Sequence, residues 1–271
     1  MVAFSKDDVK LGVIGCGKMA SAILGGVSKH KFLRNDDIYV YDVNMEASGA
    51  LCREYGFKEA YSIKDLAQNV DVILLAVKPF VVGEVLSELS EFYKEHLILS
   101  ILAGVKLKKY SDYIENARVI RIMPNTPALV AKGASAICSG DEISSEELDF
   151  AFNLMSTCSK VIKTTQDKID IITALSGSGP AFYFKIIELM AQSAAKLGLD
   201  KNEALLLSTQ TALGSAEMVF ENDFNIEQLI KNVTTPGGCT EVGNNILLES
   251  NIDEIFDELI QKTMQKAIDL G

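Results

Sequence analysis

The sequence predicts an α/β protein, with a doubly wound parallel sheet in its N-terminal part and an all-α C-terminal part. Three observations carry this. Short β-branched runs alternate with amphipathic stretches from residue 9 to about residue 164, the pattern of strands joined by crossover helices. One run, residues 71–77, is apolar on both faces, as an interior parallel strand requires. Strand-like runs then stop, and from about residue 167 to 271 the pattern is helical throughout. The boundary is placed at 165, giving domains 1–165 and 166–271, with no internal repeat and no low-complexity segment.

In chain order, the expected strands cover residues 10–15, 38–42, 71–77, 97–102, 118–123, 134–138 and 160–163. The expected helices between them include 45–55, 81–93 and 145–158. In the C-terminal part the periodicity predicts helices over 169–197, 201–221, 226–231, 241–248 and 252–270. Apolar residues there occupy more than one helix face: Ile171, Ile172, Leu175, Phe182, Phe184, Ile186, Ile187, Met190 and Ala194 cannot all face one neighbour. About a hundred residues cannot bury several such helices alone, so a second copy of the chain is the expected partner.

Composition narrows the function. The chain has 271 residues, 48% hydrophobic and 23% charged, with a formal net charge of −11. That charge disfavours nonspecific attraction to nucleic acid or anionic membranes. Asp7 and Asp8 precede a first apolar run too short for a signal h-region or a membrane span, so a cytoplasmic protein is expected. The five cysteines are scattered without CxxC spacing, which argues against a disulfide framework and against a metal site. Only two histidines occur, His30 and His96, each among lysines and acids where a helix should end. Both are expected to be solvated helix-end residues, which leaves little for histidine-based catalysis.

The first glycine-rich segment, "KLGVIGCGKMASAILGGV", reads as a strand, then Gly15-x-Gly17-x-x-Ala20, then a helix. Gly15 permits the tight turn, Gly17 lets backbone approach a pyrophosphate, and Ala20 allows close helix–strand packing. Asp42 follows at the end of the second strand, about twenty residues on, where an acidic residue meets a ribose 2′-hydroxyl. The loop from Ile14 through Gly15, Cys16, Gly17, Lys18 and Met19, together with Asp42, is therefore the expected dinucleotide site of a Rossmann-type domain. Ala76, Val77, Lys78 and Pro79 after the 71–77 run, and Ala103 and Gly104 after the 97–102 run, should line the same crevice.

A second glycine loop, "TTPGGCTE" at residues 234–241, interrupts helical sequence. Pro236 fixes backbone, Gly237 and Gly238 permit conformations closed to other residues, and a helix resumes near Thr240. The amides of Gly238, Cys239 and Thr240, with the Thr240 hydroxyl, should then face a carboxylate. The alternative is an ordinary helix–helix turn capped by Thr240.

With both loops in view, the chain resembles the pyrroline-5-carboxylate reductase family over essentially its whole length. The segments that carry the resemblance are "GVIGCGKMASAILGG", "LLAVKP", "SILAGV", "RIMPNTPALVAKGASA", "ALSGSGPAFYF" and "VTTPGGCT". The resemblance implies a Rossmann domain followed by a helical dimerisation domain, a homodimer that can assemble as a decamer of five dimers, and hydride transfer from NADH or NADPH to the C=N bond of 1-pyrroline-5-carboxylate, giving L-proline. It further implies that Thr240 and the preceding amides hold the substrate carboxylate, with the Thr240 hydroxyl near the ring nitrogen. Asn232 and Thr235 should face cofactor or substrate, and Ser176 should help shape the pocket. Glu241 departs from the family, which usually carries an aliphatic residue there, and Asn244 and Asn245 are more polar than the family pattern.

Two other readings compete. A 3-hydroxyacid dehydrogenase-like enzyme, or another Rossmann imine reductase, shares the outline. The former would need a lysine where Tyr183 follows Gly177-Ser178-Gly179, and Lys185 comes two places late, on a different helix face. A non-catalytic nucleotide-sensing protein would keep the first loop and have no use for the second. Between cofactors, Asp42 and Glu46, with no lysine, arginine or small hydroxyl residue between Asp42 and Ala47, favour NADH. The alternative there is that Asp42 serves as the N-cap of the next helix.

Overall fold

The structure, a computed structural model, describes residues 9–140 and 142–270; Asp7 and Asp8 lie outside the described residues. Eight strands form one sheet: β1 Leu11–Ile14, β2 Ile38–Tyr41, β3 Lys58–Glu59, β4 Val72–Leu75, β5 Leu97–Ser100, β6 Arg118–Met123, β7 Gly133–Ser139 and β8 Ser159–Lys163. Their spatial order is β3-β2-β1-β4-β5-β6-β7-β8. The chain winds outward from β1 through β2 to β3, then crosses back to β4 on the other side of β1. That reversal creates a crevice at the carboxyl ends of β1 and β4.

The strands from β1 to β6 are parallel. β1, β4 and β5 are buried at every residue, which explains why their sequences are apolar without alternation. The last two strands correct the expectation of a wholly parallel sheet. β7 runs antiparallel to β6, and β8 runs parallel to β7. The β6–β7 connection, residues 124–132, holds only a 3₁₀ turn at Thr126–Val130. It is shorter than the dozen or more residues a parallel crossover needs, so the chain has to turn back. β3 was not anticipated, since a two-residue edge strand of Lys and Glu carries no β-branched signal.

Helices cover both faces of the sheet. On one side lie α1 Lys18–Lys29, α2 Met45–Tyr55 and α6 Ser145–Ser156, packed around Leu11, Val13, Ile23, Leu24, Leu99 and Leu154. On the other lie α3 Ile63–Asn69, α4 Val82–Ser90 and α5 Leu107–Ser111, over Ile14, Leu66, Ile73, Leu75, Leu86 and Tyr110. Three of these helix starts are specified locally. Asn44 caps α2, Ser62 caps α3, and Ser144 with Glu147 forms a capping box at α6. The buried Glu147 carboxylate also pairs with Arg118, which ties α6 to the beginning of β6.

His96 corrects the expectation of a solvated histidine. It is 4% exposed, immediately before β5. The Lys94 N–H donates to Nδ1 (3.1 Å), so the proton belongs on Nε2, which faces the Ala67 carbonyl at 2.8 Å. Both nitrogens are satisfied by a neutral ring, and burial pulls its pKa below the ordinary histidine value. His30 is exposed, as expected, at the end of α1.

The chain divides into two compact units, one comprising residues up to Ser178 together with those from Thr263 onward, the other Gly179–Lys262. The expected single helix over 169–197 is broken. α7 Ile169–Ile172 passes into a π turn at Thr173–Gly177, where the Ser178 N–H reaches back to the Thr173 carbonyl, and α8 Gly179–Lys196 begins afresh. A β-carbon on Gly177 would meet the tip of the flexible Met123 side chain, which would have to move to admit it. In the second unit, α9 Lys201–Glu221 follows its Asp200 cap and packs antiparallel to α8 across a short turn. α10 Ile226–Val233, α11 Cys239–Leu248 and α12 Ile252–Asp269 complete the order. Of α9 only Ala204 is buried, while Leu206, Leu207, Phe220 and, on α8, Tyr183, Phe184 and Met190 are exposed. No helix among the described residues is long and apolar enough to cross a membrane.

The His96 environment has a measurable consequence. The unfolded chain protonates its histidine near pH 6.5, whereas the folded chain resists protonation to lower pH, so this contribution is fully present above about pH 6.5 and is lost as pH falls below it. The expected outcome is an acid limb in chemical-denaturation stability that flattens in His96→Gln; an unchanged limb would show that other groups set it.

Candidate functional site

The carboxyl ends of β1, β2, β4 and β5 bring most of the expected cofactor residues to one sheet edge. At Gly15 the chain turns with φ +97°, its N–H donating to the Tyr41 carbonyl at 2.8 Å. A β-carbon there would lie 2.7 Å from the Ala76 carbonyl oxygen, so glycine is required both by conformation and by space. Gly17 is the opposite case. It is extended and exposed, and a β-carbon would meet nothing within 4 Å, so its surface is open toward the crevice. Lys18 and Met19 open α1, which has no side-chain cap, and Ala20 is buried beneath them. The first-turn amides are thus left to an external acceptor.

Asp42 lies just past β2 with both carboxylate oxygens engaged. Oδ2 accepts the Cys16 N–H at 2.7 Å, and Oδ1 accepts the Asn44 N–H at 2.8 Å. The alternative of Asp42 as the cap of α2 is excluded, because the Asn44 side chain takes the Glu46 N–H and fills that role. Asp42 instead ties the glycine loop to the β2–α2 turn. The Cys16 thiol is buried in that loop and pushed up to about 12 by burial, with the Asp42 charge adding to the effect. It is no nucleophile.

Ala76 and Val77 are half-buried after β4, and the Ala76 N–H donates to the Ile14 carbonyl at 2.9 Å. Lys78 is exposed ahead of the 3₁₀ turn that Pro79 begins. Ala103 and Gly104 follow β5, Gly104 with φ +77° and the Leu270 backbone carbonyl 3.1 Å from where its β-carbon would be. Below them the Ser100 and Tyr110 hydroxyls are hydrogen-bonded in the interior, and burial raises the Tyr110 phenol to about 12.

Ser176 is positioned by a residue that sequence reasoning did not single out. Asn125, 8% exposed in the "MPNTPA" segment, donates from Nδ2 to the Ser176 carbonyl at 3.2 Å and accepts the Ala134 N–H on Oδ1 at 2.8 Å. Its Nδ2 also lies 3.4 Å from Ser176 Oγ. An asparagine flanked by Pro124 and Pro127 was the available signal, since such a side chain commonly bonds turn backbone.

The remaining predicted residues belong to the second unit. Asn232 is exposed on α10, its Oδ1 accepting from Gln228 Nε2 at 2.7 Å. Thr235 and Pro236 lead into Gly237, which is left-handed at φ +72°. Gly238 is the N-cap of α11, which again has no side-chain cap. One expectation needs correction here: the Gly238 N–H is already given to the Thr235 carbonyl at 2.9 Å, so it does not project. The capping alternative for Thr240 is also corrected. Thr240 stands at the second position inside α11, with Cys239 at the first, and both are exposed. Amides and a hydroxyl at the start of an uncapped helix are groups that can accept an anion. Lys185, the nearest candidate for a dehydrogenase lysine, is exposed and paired with Glu188 at 2.6 Å.

Two family models match successive parts of the chain. Residues 166–270 match the family described as pyrroline-5-carboxylate reductase dimerisation, and residues 10–104 match the family described as NADP oxidoreductase, coenzyme F420-dependent. The pyrroline-5-carboxylate reductase of Methanosarcina acetivorans is 36% identical across 98% of this chain and 99% of its own length. That of Escherichia coli is 34% identical across 95% of this chain and 97% of its own. Among solved structures, a pyrroline-5-carboxylate reductase from Coxiella burnetii has a TM-score of 0.93 at 31% identity, covering 98% of this chain and 99% of that one. Pyrroline carboxylate reductase from Plasmodium falciparum, solved with NADP bound, has a TM-score of 0.87 at 28% identity, covering 98% and 100%.

Proposed function

The chain belongs to the pyrroline-5-carboxylate reductase family, and on that premise we propose that it reduces the C=N bond of 1-pyrroline-5-carboxylate to give L-proline. The observation that carries the reading is the loop at residues 234–241. A left-handed Gly237 and an uncapped α11 leave the Cys239 and Thr240 amides and the Thr240 hydroxyl facing outward, a group suited to a carboxylate.

The crevice residues fit a nicotinamide dinucleotide: Gly15 allows the tight approach of β1 to β4, Gly17 is open, and α1 begins without a cap. When bound, the reduced nicotinamide supplies the hydride that goes to C5 of the imine. We assign Ile14, Gly15, Cys16, Gly17, Lys18 and Met19 to the diphosphate and its surroundings. Asp42 is assigned to the ribose, Ala76, Val77, Lys78, Pro79, Ala103 and Gly104 to the crevice wall, and Asn232 to the cofactor from α10. Residues 1–165 carry these functions, apart from Asn232, and residues 166–271 carry substrate binding and dimerisation.

On the substrate side, Thr235, Gly238, Cys239 and Thr240 form the carboxylate loop, and Ser176 shapes the pocket under the hold of Asn125. The loop's task is orientation, which converts binding into a near-attack geometry. No histidine is needed. His96 is satisfied in the interior and His30 is exposed at the end of α1, so the imine nitrogen takes its proton from solution with the Thr240 hydroxyl beside it. The exposed apolar faces of α8 and α9 are assigned to a homodimer, with five dimers as a decamer.

The activity is tested by oxidation of NADH or NADPH with racemic 1-pyrroline-5-carboxylate; absence of turnover would end the proposal. Thr240→Ala is expected to lower kcat/KM roughly ten- to a hundredfold with the fold intact, because a hydrogen bond to a charged group contributes about 1.5–3 kcal/mol. Wild-type kinetics would remove Thr240 from the site.

Between cofactors, the negative charges of Asp42 and Glu46 after β2 would repel a 2′-phosphate bound beside them, so NADH is expected to give the higher kcat/KM. Asp42→Ser should shift the ratio toward NADPH, and should also weaken both cofactors by freeing the Cys16 amide. A wild type that prefers NADPH, with a ratio unmoved in Asp42→Ser, would limit Asp42 to holding the loop. For assembly, light scattering at micromolar concentration should give a dimer or larger; a monomer would contradict the assignment of α8 and α9.

A further inference from the structure

Glu241 is the one residue of the substrate loop that departs from the family pattern, and the structure gives its side chain a specific partner. Its Oε2 accepts the Gly237 N–H at 2.8 Å. Gly237 is the left-handed residue of the turn, and Gly238 after it is extended, with its own N–H given back to Thr235. A β-carbon on Gly238 would lie 2.9 Å from the Thr235 carbonyl oxygen, so this half of the loop is closed by backbone contact alone. The other half is closed by Glu241. The neighbouring hydroxyl of Thr234 turns away to the Ile230 carbonyl at 2.7 Å, so it does not help.

We infer that Glu241 is a positioning residue for the carboxylate loop, an inference that rests on the reading of that loop as the substrate anchor. As the third residue of α11, Glu241 reaches back past the N-cap to the residue before it. A glutamate at this helical position ordinarily returns to the N-cap amide itself. Here the bond is displaced by one residue, onto the glycine whose conformation decides where the Cys239 and Thr240 amides point. The loop is thereby set before substrate arrives, which reduces the ordering that binding would otherwise require.

The same side chain has an opposing effect. A carboxylate beside a loop that receives a carboxylate repels it, although solvent screens the charge at this partly exposed position. The two effects separate chemically. Glu241→Gln keeps an oxygen to accept the Gly237 N–H and removes the charge. Glu241→Leu, with the aliphatic type usual in the family, removes both.

The experiment measures KM for 1-pyrroline-5-carboxylate, KM for the nicotinamide cofactor, and kcat in wild type, Glu241→Gln, Glu241→Leu and Thr240→Ala, with melting curves for each. Glu241→Leu is expected to raise the substrate KM about tenfold, the loss associated with a charge-assisted bond, with cofactor KM unchanged. Glu241→Gln should show a substrate KM at or below that of wild type. A general loss of stability would move both KM values together, and a Glu241→Gln variant as impaired as Glu241→Leu would overturn the positioning role. If Thr240→Ala raises the substrate KM and Glu241→Leu does not, the inference about Glu241 fails alone. If neither variant changes it, the reading of the loop as the anchor fails.

Discussion

The close approach of two strand ends at Gly15 is the constraint on which the cofactor side of the molecule depends. β1 and β4 are adjacent because the chain reverses its winding there, and the Ala76 N–H closes onto the Ile14 carbonyl. The turn that leaves β1 must then pass so near the Ala76 carbonyl that no side chain fits. That geometry sends α1 off at the switch point with its first amides uncovered. Asp42 fixes the remaining freedom by holding the next amide of the loop from β2. An anion site is the physical result of satisfying the sheet first and leaving the helix start unsatisfied.

Much of this was legible in the sequence because the signals are local. The 3.6-residue periodicity gave both ends of α9, and the run of apolar residues marked β4 as interior. The glycine spacing marked the loop after β1, where Gly15 answers to a nearby steric demand and Gly17 leaves open space. The parts that were not legible depend on contacts distant in sequence. His96 stands among Lys94, Glu95 and other polar residues, yet its ring pairs with Ala67, and nothing in the neighbouring sequence encodes that carbonyl. The reversal of β7 is encoded in the length of the β6–β7 connection, which periodicity does not measure.

The loop at residues 234–241 divides in the same way. Pro236, Gly237 and Gly238 announced a turn, and the helix that follows it was visible. Which amides the turn leaves free was not, because the Thr235 carbonyl and the Glu241 side chain take two of them, Gly238 and Gly237. Asn125 makes the same point for Ser176: its importance comes from spanning the Ser176 carbonyl and the Ala134 amide at once, and the sequence shows only an asparagine between prolines.

The stretch from Gly179 to Lys262 leaves the sheet-bearing unit at the π turn before α8 and returns to it within α12, whose following residue Leu270 reaches Gly104. The helical unit is therefore an insertion anchored at both ends, not a tail. A single cut of the backbone inside it would leave each fragment carrying a segment of the sheet-bearing unit, the second held there by packing of the residues from Thr263 onward, so nicking need not release either piece. Where the sheet-bearing unit is folded, fixing both ends of the insertion lowers the entropy lost on ordering it relative to a unit attached at one end.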